Sequence, residues 1–268
     1  MRYLQGLTTI PATEPDNPLI LGQTVHTGIE KSLEEAIREY CFSFPIITDE
    51  HINEIIKFET VIPLARAAIP PGGKFEVEIK DDDFHGFIDY LVPARTEQRL
   101  NRENQEIPDV FDLYDFKYSN NVSGYKQSGQ LHEYKYFFER NNPGKKIRNM
   151  FFVFIPKVTI RQKKTETLLE FRERLKEALS GVEVKIVQIG FNPEKVIEFL
   201  FGIKAVNEET EFPQEKSYLC RYCEFQEYCE KGNDYMIKLP ENKRRNIEAV
   251  EKRVLWIYGV PFCGKTTF

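Results

Sequence analysis

The eight residues from Phe111 to Tyr118 read Phe-Asp-Leu-Tyr-Asp-Phe-Lys-Tyr. Side chains alternate between the two faces of a β-strand, so Asp115 and Lys117 are expected to point the same way, together with Leu113. A carboxylate in such a pair can hold a divalent cation, and an ammonium group beside it can hold a water molecule or a developing anion. Because exposed strands often carry the same short pattern, the prediction of a catalytic pair depends on the motifs around it.

A second acid comes before this strand. The strand-like run from Phe84 to Leu91 carries Asp89, with Gly86 three residues before it. A polar segment at residues 93–108 separates the two runs, which is the pattern of a hairpin with an enlarged loop. Such a hairpin would bring Asp89 and Asp115 to one metal ion.

Three further polar residues fall in predicted helices. Residues 22–40 carry an apolar stripe at helical spacing, and His26 lies next to that stripe. Gln130 and Tyr134 are four residues apart in a predicted helix at 125–140, so they share one helix face. Taken alone, His26 is more often a structural residue, and core packing is a serious alternative for Tyr134.

The order of these motifs resembles the RecB-like branch of the PD-(D/E)XK nuclease superfamily. His26 is followed by Gly-x-x-Asp ending at Asp89, by Asp-x-Lys at residues 115–117 and by Gln-x-x-x-Tyr at residues 130–134. The resemblance covers roughly residues 20–140. It implies an α/β (α+β) restriction-endonuclease-like core with a mixed central sheet flanked by helices. It also implies a deoxyribonuclease that depends on Mg²⁺ or Mn²⁺, with exonuclease favoured over endonuclease action.

The same resemblance implies a role for each residue. Lys117 would orient the attacking water and stabilise the charge of the transition state, while Gln130 and Tyr134 would position the phosphate backbone. The implied metal ligands are His26, Asp89, Asp115 and the backbone carbonyl of Phe116.

The family often carries a further acid on the strand before the Asp motif. Residues 74–79 alternate between apolar and acidic side chains, which predicts a half-buried strand. Glu78 could supply the acid, with Glu76 as the other candidate, although both belong to the polar face and a solvated face is the favoured interpretation. Other predicted elements are helices at 48–68, 163–179 and 192–206, strands at 148–156 and 182–189, and a loop at 119–124.

Composition narrows the functional class. The 268-residue chain is 41% hydrophobic and 29% charged, with a net charge of -5, which fits a soluble globular protein and argues against indiscriminate coating of DNA. No apolar run reaches membrane-spanning length, and the N-terminal residues lack a secretory signal. We therefore expect a reducing cytoplasm, where the five cysteines are unsuited to disulfide formation.

Three cysteines near the C-terminal end have metal-ligand spacing. Cys220, Cys223 and Cys229 form C-x2-C-x5-C, and closely spaced thiolates bind soft metals. The spacing resembles the iron–sulfur segment of AddB-type and CRISPR-adaptation nucleases, in which a fourth cysteine precedes the His motif. Here Cys41 follows His26, so Cys41 is either a shifted fourth ligand of a [4Fe–4S] cluster or a buried core thiol. Zinc, or three reduced thiols without metal, are the alternatives.

The C-terminal end carries a phosphate-binding pattern. Residues 259–266 match G-x-x-x-x-G-K-T after a strand-like run, and the matching positions are Gly259, Gly264, Lys265 and Thr266. The sequence ends at Phe268, so we expect a longer parent protein with an ATPase domain after the nuclease domain, an arrangement familiar in phage and prophage recombination modules. The motif is not expected to hydrolyse ATP in this chain.

The predicted organisation has three parts: a nuclease-like domain at 1–212, a cysteine-rich segment packed on it at 213–235, and a linker with the start of a P-loop domain at 236–268. The main alternative function is a catalytically silent nucleic-acid-binding module attached to the ATPase. A metalloenzyme on another fold is a third and weaker hypothesis.

Overall fold

The computed structural model describes residues 14–82, 84–94, 109–210, 216–217, 220, 223 and 225–231. The predicted loop at 93–108 lies almost entirely outside these residues, and the predicted P-loop lies entirely outside them. The chain divides into two compact units, of which the larger comprises residues 18–41 and 47–208. Among the described residues, this larger unit contains every strand of the sheet.

A mixed sheet forms the centre of the larger unit. Among the described residues it has five strands in chain order, β1 (Lys74–Lys80), β2 (His85–Pro93), β3 (Asp109–Tyr118), β4 (Lys145–Ile155) and β5 (Lys185–Ile189). β1, β2 and β3 pair antiparallel, β4 joins β3 in parallel, and β5 returns antiparallel to β4. The parallel pair places the crossover between β3 and β4 over one face of the sheet, as the predicted strand–helix–strand order requires.

Helices flank this sheet. In the described residues they are α1 (Pro18–Glu30), α2 (Leu33–Phe42), α3 (Asp49–Ala68), α4 (Val122–Lys126), α5 (Gln130–Asn141), α6 (Leu168–Ser180), α7 (Pro193–Glu208) and α8 (Gln226–Lys231). α5 packs against β1 and β4, and α1 contacts β3. The predicted restriction-endonuclease-like class of fold is confirmed. None of the described helices combines the length and the apolar character that crossing a membrane would require.

The single helix predicted at 22–40 is wrong, since two helices occupy this region. α1 ends at Glu30 and α2 begins at Leu33. The Ser32 hydroxyl accepts the backbone N–H of Glu35 at 3.1 Å, which is an N-cap bond that starts a new helix. An apolar stripe continued across the break, so the periodicity alone did not reveal it.

The helix predicted at 125–140 is also divided. Residues 122–126 form the short helix α4, of which residues 122–124 were predicted as loop, and α5 begins only at Gln130. The Asn121 side chain caps α4 by accepting the N–H of Gly124, and the Ser128 hydroxyl accepts the N–H of Gln130. These local side-chain bonds compete with a continuous helix. α6 similarly starts at Leu168 rather than at residue 163, because Thr167 caps it.

The main core lies between the sheet and α5. Its fully buried members include Leu113 of β3, Phe152 of β4 and Leu131 of α5. A second close contact joins α1 to α3, where a Cβ added at Gly28 would lie 2.4 Å from Cδ1 of Ile62. Gly28 therefore lets the two helices approach each other, and this approach fixes α1 near the sheet.

Candidate active site

Asp115 and Lys117 lie on one face of β3, as the period of the strand predicts. Asp115 is 1% exposed, and Oδ2 of Asp115 lies 2.7 Å from Nζ of Lys117. Oδ1 of Asp115 is buried and has no hydrogen-bond partner within the described residues. Burial and the nearby charge of Asp89 raise the pKa of Asp115 to about 7. A buried carboxylate oxygen without a partner is costly unless a ligand satisfies it.

Asp89 faces this pair from β2. Tyr90 of β2 pairs with Tyr114 of β3, which is the last pair between the two strands. Beyond this pair, Oδ2 of Asp89 accepts the backbone N–H of Phe116 at 2.7 Å, so a side chain replaces a backbone acceptor. This bond fixes the orientation of the carboxylate. Burial raises the pKa of Asp89 to about 7, despite that hydrogen bond.

His26 reaches the same place from α1. Its Nε2 atom lies 3.0 Å from the backbone oxygen of Phe116, and its Nδ1 atom lies 3.6 Å from Oδ1 of Asp89. Burial lowers the pKa of His26 below its ordinary value, although the Asp115 charge opposes the shift. The imidazole is therefore neutral near pH 7, which is the form that binds metals.

Glu76 completes the acidic group. Ligand atoms of His26, Glu76 and Asp89 lie within 4.8 Å of one another, a spacing that could hold a metal ion. The backbone of Glu76 has a φ of 49°, the left-handed region that ordinary residues seldom adopt. The β1–β2 register passes from the Phe75 pair to the Val77 pair without a pair at Glu76, so the strand is locally distorted at this acid, and such distortions cluster at functional sites.

The structure does not bring Glu78 into this group. Its carboxylate is exposed, and its Oε1 atom lies 3.0 Å from Nε2 of His85. Glu76 therefore occupies the position for which Glu78 was the first candidate. The sequence offered both acids on one strand face, and the structure distinguishes them, because Glu76 lies with His26 and Asp89 whereas Glu78 contacts His85.

Gln130 and Tyr134 extend the site along α5. Nζ of Lys117 donates to Oε1 of Gln130 at 2.9 Å, and Nε2 of Gln130 donates to the Tyr134 hydroxyl at 3.0 Å. Burial raises the pKa of Tyr134 to about 12, so the phenol keeps its proton and can donate it in a hydrogen bond. A chain of polar contacts thus runs from Asp115 to Tyr134.

Gly86 explains why the Gly-x-x-Asp motif needs a glycine. A Cβ added at Gly86 would lie 2.9 Å from Cε1 of Phe84 and 3.2 Å from Cε1 of Tyr134. The bare backbone of β2 therefore allows the Tyr134 ring to approach the strand that carries Asp89.

The cysteines form no preformed metal site within the described residues. Cys220, Cys223 and Cys229 are free thiols, and the His/Cys/Asp/Glu group with metal-ligand spacing found there contains none of them. Locally, the backbone N–H of Ser217 donates to Sγ of Cys220 at 3.3 Å. Cys41 is a partly buried free thiol whose pKa is raised by burial. Gly259, Gly264, Lys265 and Thr266 lie outside the described residues.

Comparison with known protein families gives one match. The model of the PD-(D/E)XK nuclease superfamily matches residues 74–230, which is more than half of the chain. The matched region includes Glu76, Asp89, Asp115, Lys117 and the pair on α5. Comparisons with curated proteins and with solved structures found no match.

Proposed function

Because the chain belongs to the PD-(D/E)XK nuclease superfamily, we propose that it is a metal-dependent exonuclease that hydrolyses phosphodiester bonds in DNA. Nucleases of this superfamily typically use Mg²⁺ or Mn²⁺. The observation that carries the proposal is the buried Asp115 carboxylate, which faces Asp89 and leaves Oδ1 without a partner.

The residues present fit a divalent cation. The buried carboxylate of Asp115, the partly buried carboxylate of Asp89 and a neutral imidazole provide hard oxygen ligands and one nitrogen ligand, which suit Mg²⁺ and Mn²⁺. The proposed ligands are His26 and Asp89, whose ligand atoms lie within 4.8 Å of one another and of Glu76, and Asp115, which that group does not include. Glu76 and the backbone oxygen of Phe116 are further candidates. A cation bound there would polarise the scissile phosphate and lower the pKa of a bound water molecule.

The protein side chains would carry the remaining tasks. Lys117 is fixed by Asp115 and Gln130, so its ammonium group can orient a water molecule and stabilise negative charge on the phosphate. The Tyr134 hydroxyl retains its proton and can donate to a phosphate oxygen. Gln130 joins these two groups and holds both in place.

Cleavage of end-labelled DNA tests the proposal. Single-stranded and duplex DNA are incubated with Mn²⁺ and the wild type, with Lys117→Ala, or with Lys126→Ala as a control at an exposed lysine of α4. We expect the wild type and Lys126→Ala to shorten the DNA from an end and Lys117→Ala to leave it intact. If the wild type binds DNA in EDTA and leaves it intact after Mn²⁺ is added, the chain is a silent binding module and the proposal fails.

We further propose that Cys220, Cys223 and Cys229 hold an iron–sulfur cluster, with zinc as the alternative metal. The N–H to sulfur bond at Cys220 supports this, since such bonds stabilise a thiolate. Metal analysis and visible absorbance of anaerobically purified wild type and Cys220→Ser test it. Absence of iron and zinc from the wild type would contradict it.

The nucleotide site, the cellular location and the biological role are also proposed from the sequence. A nucleotide site at residues 259–266, a cytoplasmic location and a role in phage or prophage type recombination or repair agree with a nuclease domain that precedes a P-loop. Retention on immobilised ATP of a longer parent protein that continues past Phe268, compared with its Lys265→Ala variant, tests the nucleotide site. Equal retention of the two proteins would refute it.

A further inference from the structure

A cavity of about 590 Å³ lies directly beside the candidate metal group. It shares His26 and Glu76 with that group. A DNA strand whose phosphate lies at the metal ligands would therefore extend into this space. One face of α1 forms most of its wall. The lining residues are Gly22, Gln23, His26, Thr27, Glu30, Lys31, Glu39 and Glu76.

The charge of the lining is negative. Three carboxylates face one ammonium group, that of Lys31, whose Nζ lies 3.6 Å from Oε1 of Glu39 and 3.7 Å from Oε1 of Glu35. Thr27 donates to the other oxygen of Glu39 at 2.9 Å. Glu30 acts on Glu76, whose pKa is raised first by burial and then by the Glu30 charge. The cavity therefore repels anions and accepts O–H and N–H donors.

The volume of this cavity, which is open to solvent, is enough for one nucleoside. Cavities of about 300 to 1,000 Å³ bind small organic ligands of this class. A Cβ added at Gly22 would meet nothing within 4 Å, so the helix presents bare backbone to open space at this point. Gln23 offers an amide donor and an acceptor to a base edge in the same wall.

We propose that this cavity binds the terminal nucleoside of a DNA strand and selects an end that carries a hydroxyl group rather than a phosphate. The inference rests on the proposed nuclease function, because the scissile phosphate must lie at the metal ligands. An uncharged terminal nucleoside carries O–H and N–H groups whose hydrogen bonds the Glu30 carboxylate can accept. A terminal phosphate would add a second anion beside three carboxylates. Either the 5′ or the 3′ hydroxyl end could occupy the site.

Competition binding without cleavage tests the selection. The full chain is held in Ca²⁺ with a fluorescent hydroxyl-ended strand. Competitors of the same sequence carry no terminal phosphate, a 5′-phosphate or a 3′-phosphate, and a circular strand has no end. We expect a phosphate at one end to weaken binding about tenfold and the circle to compete poorly, since like charges several ångströms apart near a protein surface interact by about this amount. A phosphate at the other end should have no effect and thereby identifies the bound end.

Two variants sharpen the test. Glu30→Gln removes one charge at the same size and should bring the penalty for the terminal phosphate close to onefold. Gly22→Phe fills the open space from a helical position and should abolish the preference for strand ends. Glu177→Gln is the matched control, since this exposed acid lies on α6 outside the described lining, and it should keep the wild-type penalty.

The outcomes separate the two proposals. Hydrolysis of bis(p-nitrophenyl) phosphate with Mn²⁺ needs the metal ligands and has no terminal nucleoside. If the wild type hydrolyses this ester but binds all three linear strands and the circle equally, the nuclease proposal stands and the cavity inference is refuted. If the wild type hydrolyses neither the ester nor DNA, the nuclease proposal fails. A terminal phosphate that strengthens binding would also refute the inference.

Discussion

Two buried ion pairs in the described part of the larger unit are built differently. On α3, Nζ of Lys57 contacts Oε1 of Glu54 within one turn, and each side chain is 9% exposed. On β3, Lys117 contacts the buried Asp115, and the partly buried Asp89 lies close enough for its charge to act on Asp115. The α3 pair balances one acid with one base, whereas the β3 group has two carboxylates for one ammonium.

The difference separates an ion pair that stabilises the fold from a charged group that can bind a ligand. In a balanced pair, the attraction between the two charges offsets the free energy cost of removing them from water, and no cation is needed to neutralise an excess charge. An excess carboxylate in a buried site raises pKa values and stays unfavourable until a cation arrives. The pair on α3 is therefore structural, and the group on β3 is the candidate metal site. Substitutions in the two groups should therefore have opposite effects on cleavage and on stability.

The largest effect is expected for Asp115→Asn. The change removes a proposed ligand and should lower Mn²⁺-dependent DNA cleavage by roughly 10³-fold. Because it also removes repulsion with Asp89, the metal-free protein should be as stable as the wild type or more stable at pH 8. Cleavage assays and urea unfolding in EDTA measure the two effects. Cleavage at the wild-type rate would show that the β3 group is structural.

Lys57→Met should lower the stability of the protein without lowering its cleavage rate. It removes the ammonium group that contacts the buried Glu54 carboxylate and should cost about 3 kcal/mol of unfolding free energy. The DNA-cleavage rate of the protein that remains folded should stay close to the wild-type rate. Urea unfolding measures the stability, with Lys126→Met as a control at an exposed lysine. A strong loss of cleavage without loss of stability would place this pair in the active site.

The pH dependence of stability should report the β3 group. The pKa values of Asp89 and Asp115 rise from 3.8 to about 7 on folding. The folded protein then binds more protons than the unfolded chain between about pH 4 and pH 7, so its stability falls as the pH rises through that window. We expect a loss on the order of 2 kcal/mol in EDTA, recovered with Mn²⁺.

Thermal unfolding from pH 5 to pH 8, with EDTA and with MnCl₂, checks this slope. Asp115→Asn should flatten the curve in EDTA. Asp82→Asn, at an exposed acid in the turn before β2, should keep the wild-type curve. A wild-type curve in EDTA that is level, or that rises with pH, would contradict the raised pKa values.

The smallest effect is expected for Gly86→Ala. The added methyl group would press on the rings of Phe84 and Tyr134 and move the Tyr134 hydroxyl away from Gln130. Cleavage should fall by roughly 3- to 10-fold with little change in Mn²⁺ binding. Gly181→Ala is the matched control, because a Cβ there meets nothing within 4 Å. Equal rates for the two variants would show that Tyr134 has no role in positioning.

Much of the fold follows from local pattern. The strands and α3 were predicted close to their observed positions, because period-two alternation and helical spacing are strong over such segments. The helix breaks after Glu30 and before Gln130 were not predicted, since they depend on local side-chain bonds, in which Ser32 accepts the N–H of Glu35 and Ser128 accepts the N–H of Gln130. Propensity and apolar spacing continue through both breaks.

The sequence by itself determined which residues could share a face. Asp115 and Lys117 are related by the period of a strand, and Gln130 and Tyr134 by one helical turn. These relations are local and need no knowledge of the fold.

Only the tertiary structure decided the composition of the site. His26 meets the oxygen of Phe116 across 90 positions of sequence, and the carboxylate of Asp89 bonds to the N–H of that same residue. Its proximity to His26 and Asp89 distinguishes Glu76 from Glu78. Burial, rather than residue type, raises the pKa values of both aspartates. Long-range packing sets which chain segments meet and how much water is excluded, and neither quantity is encoded in the spacing of neighbouring residues.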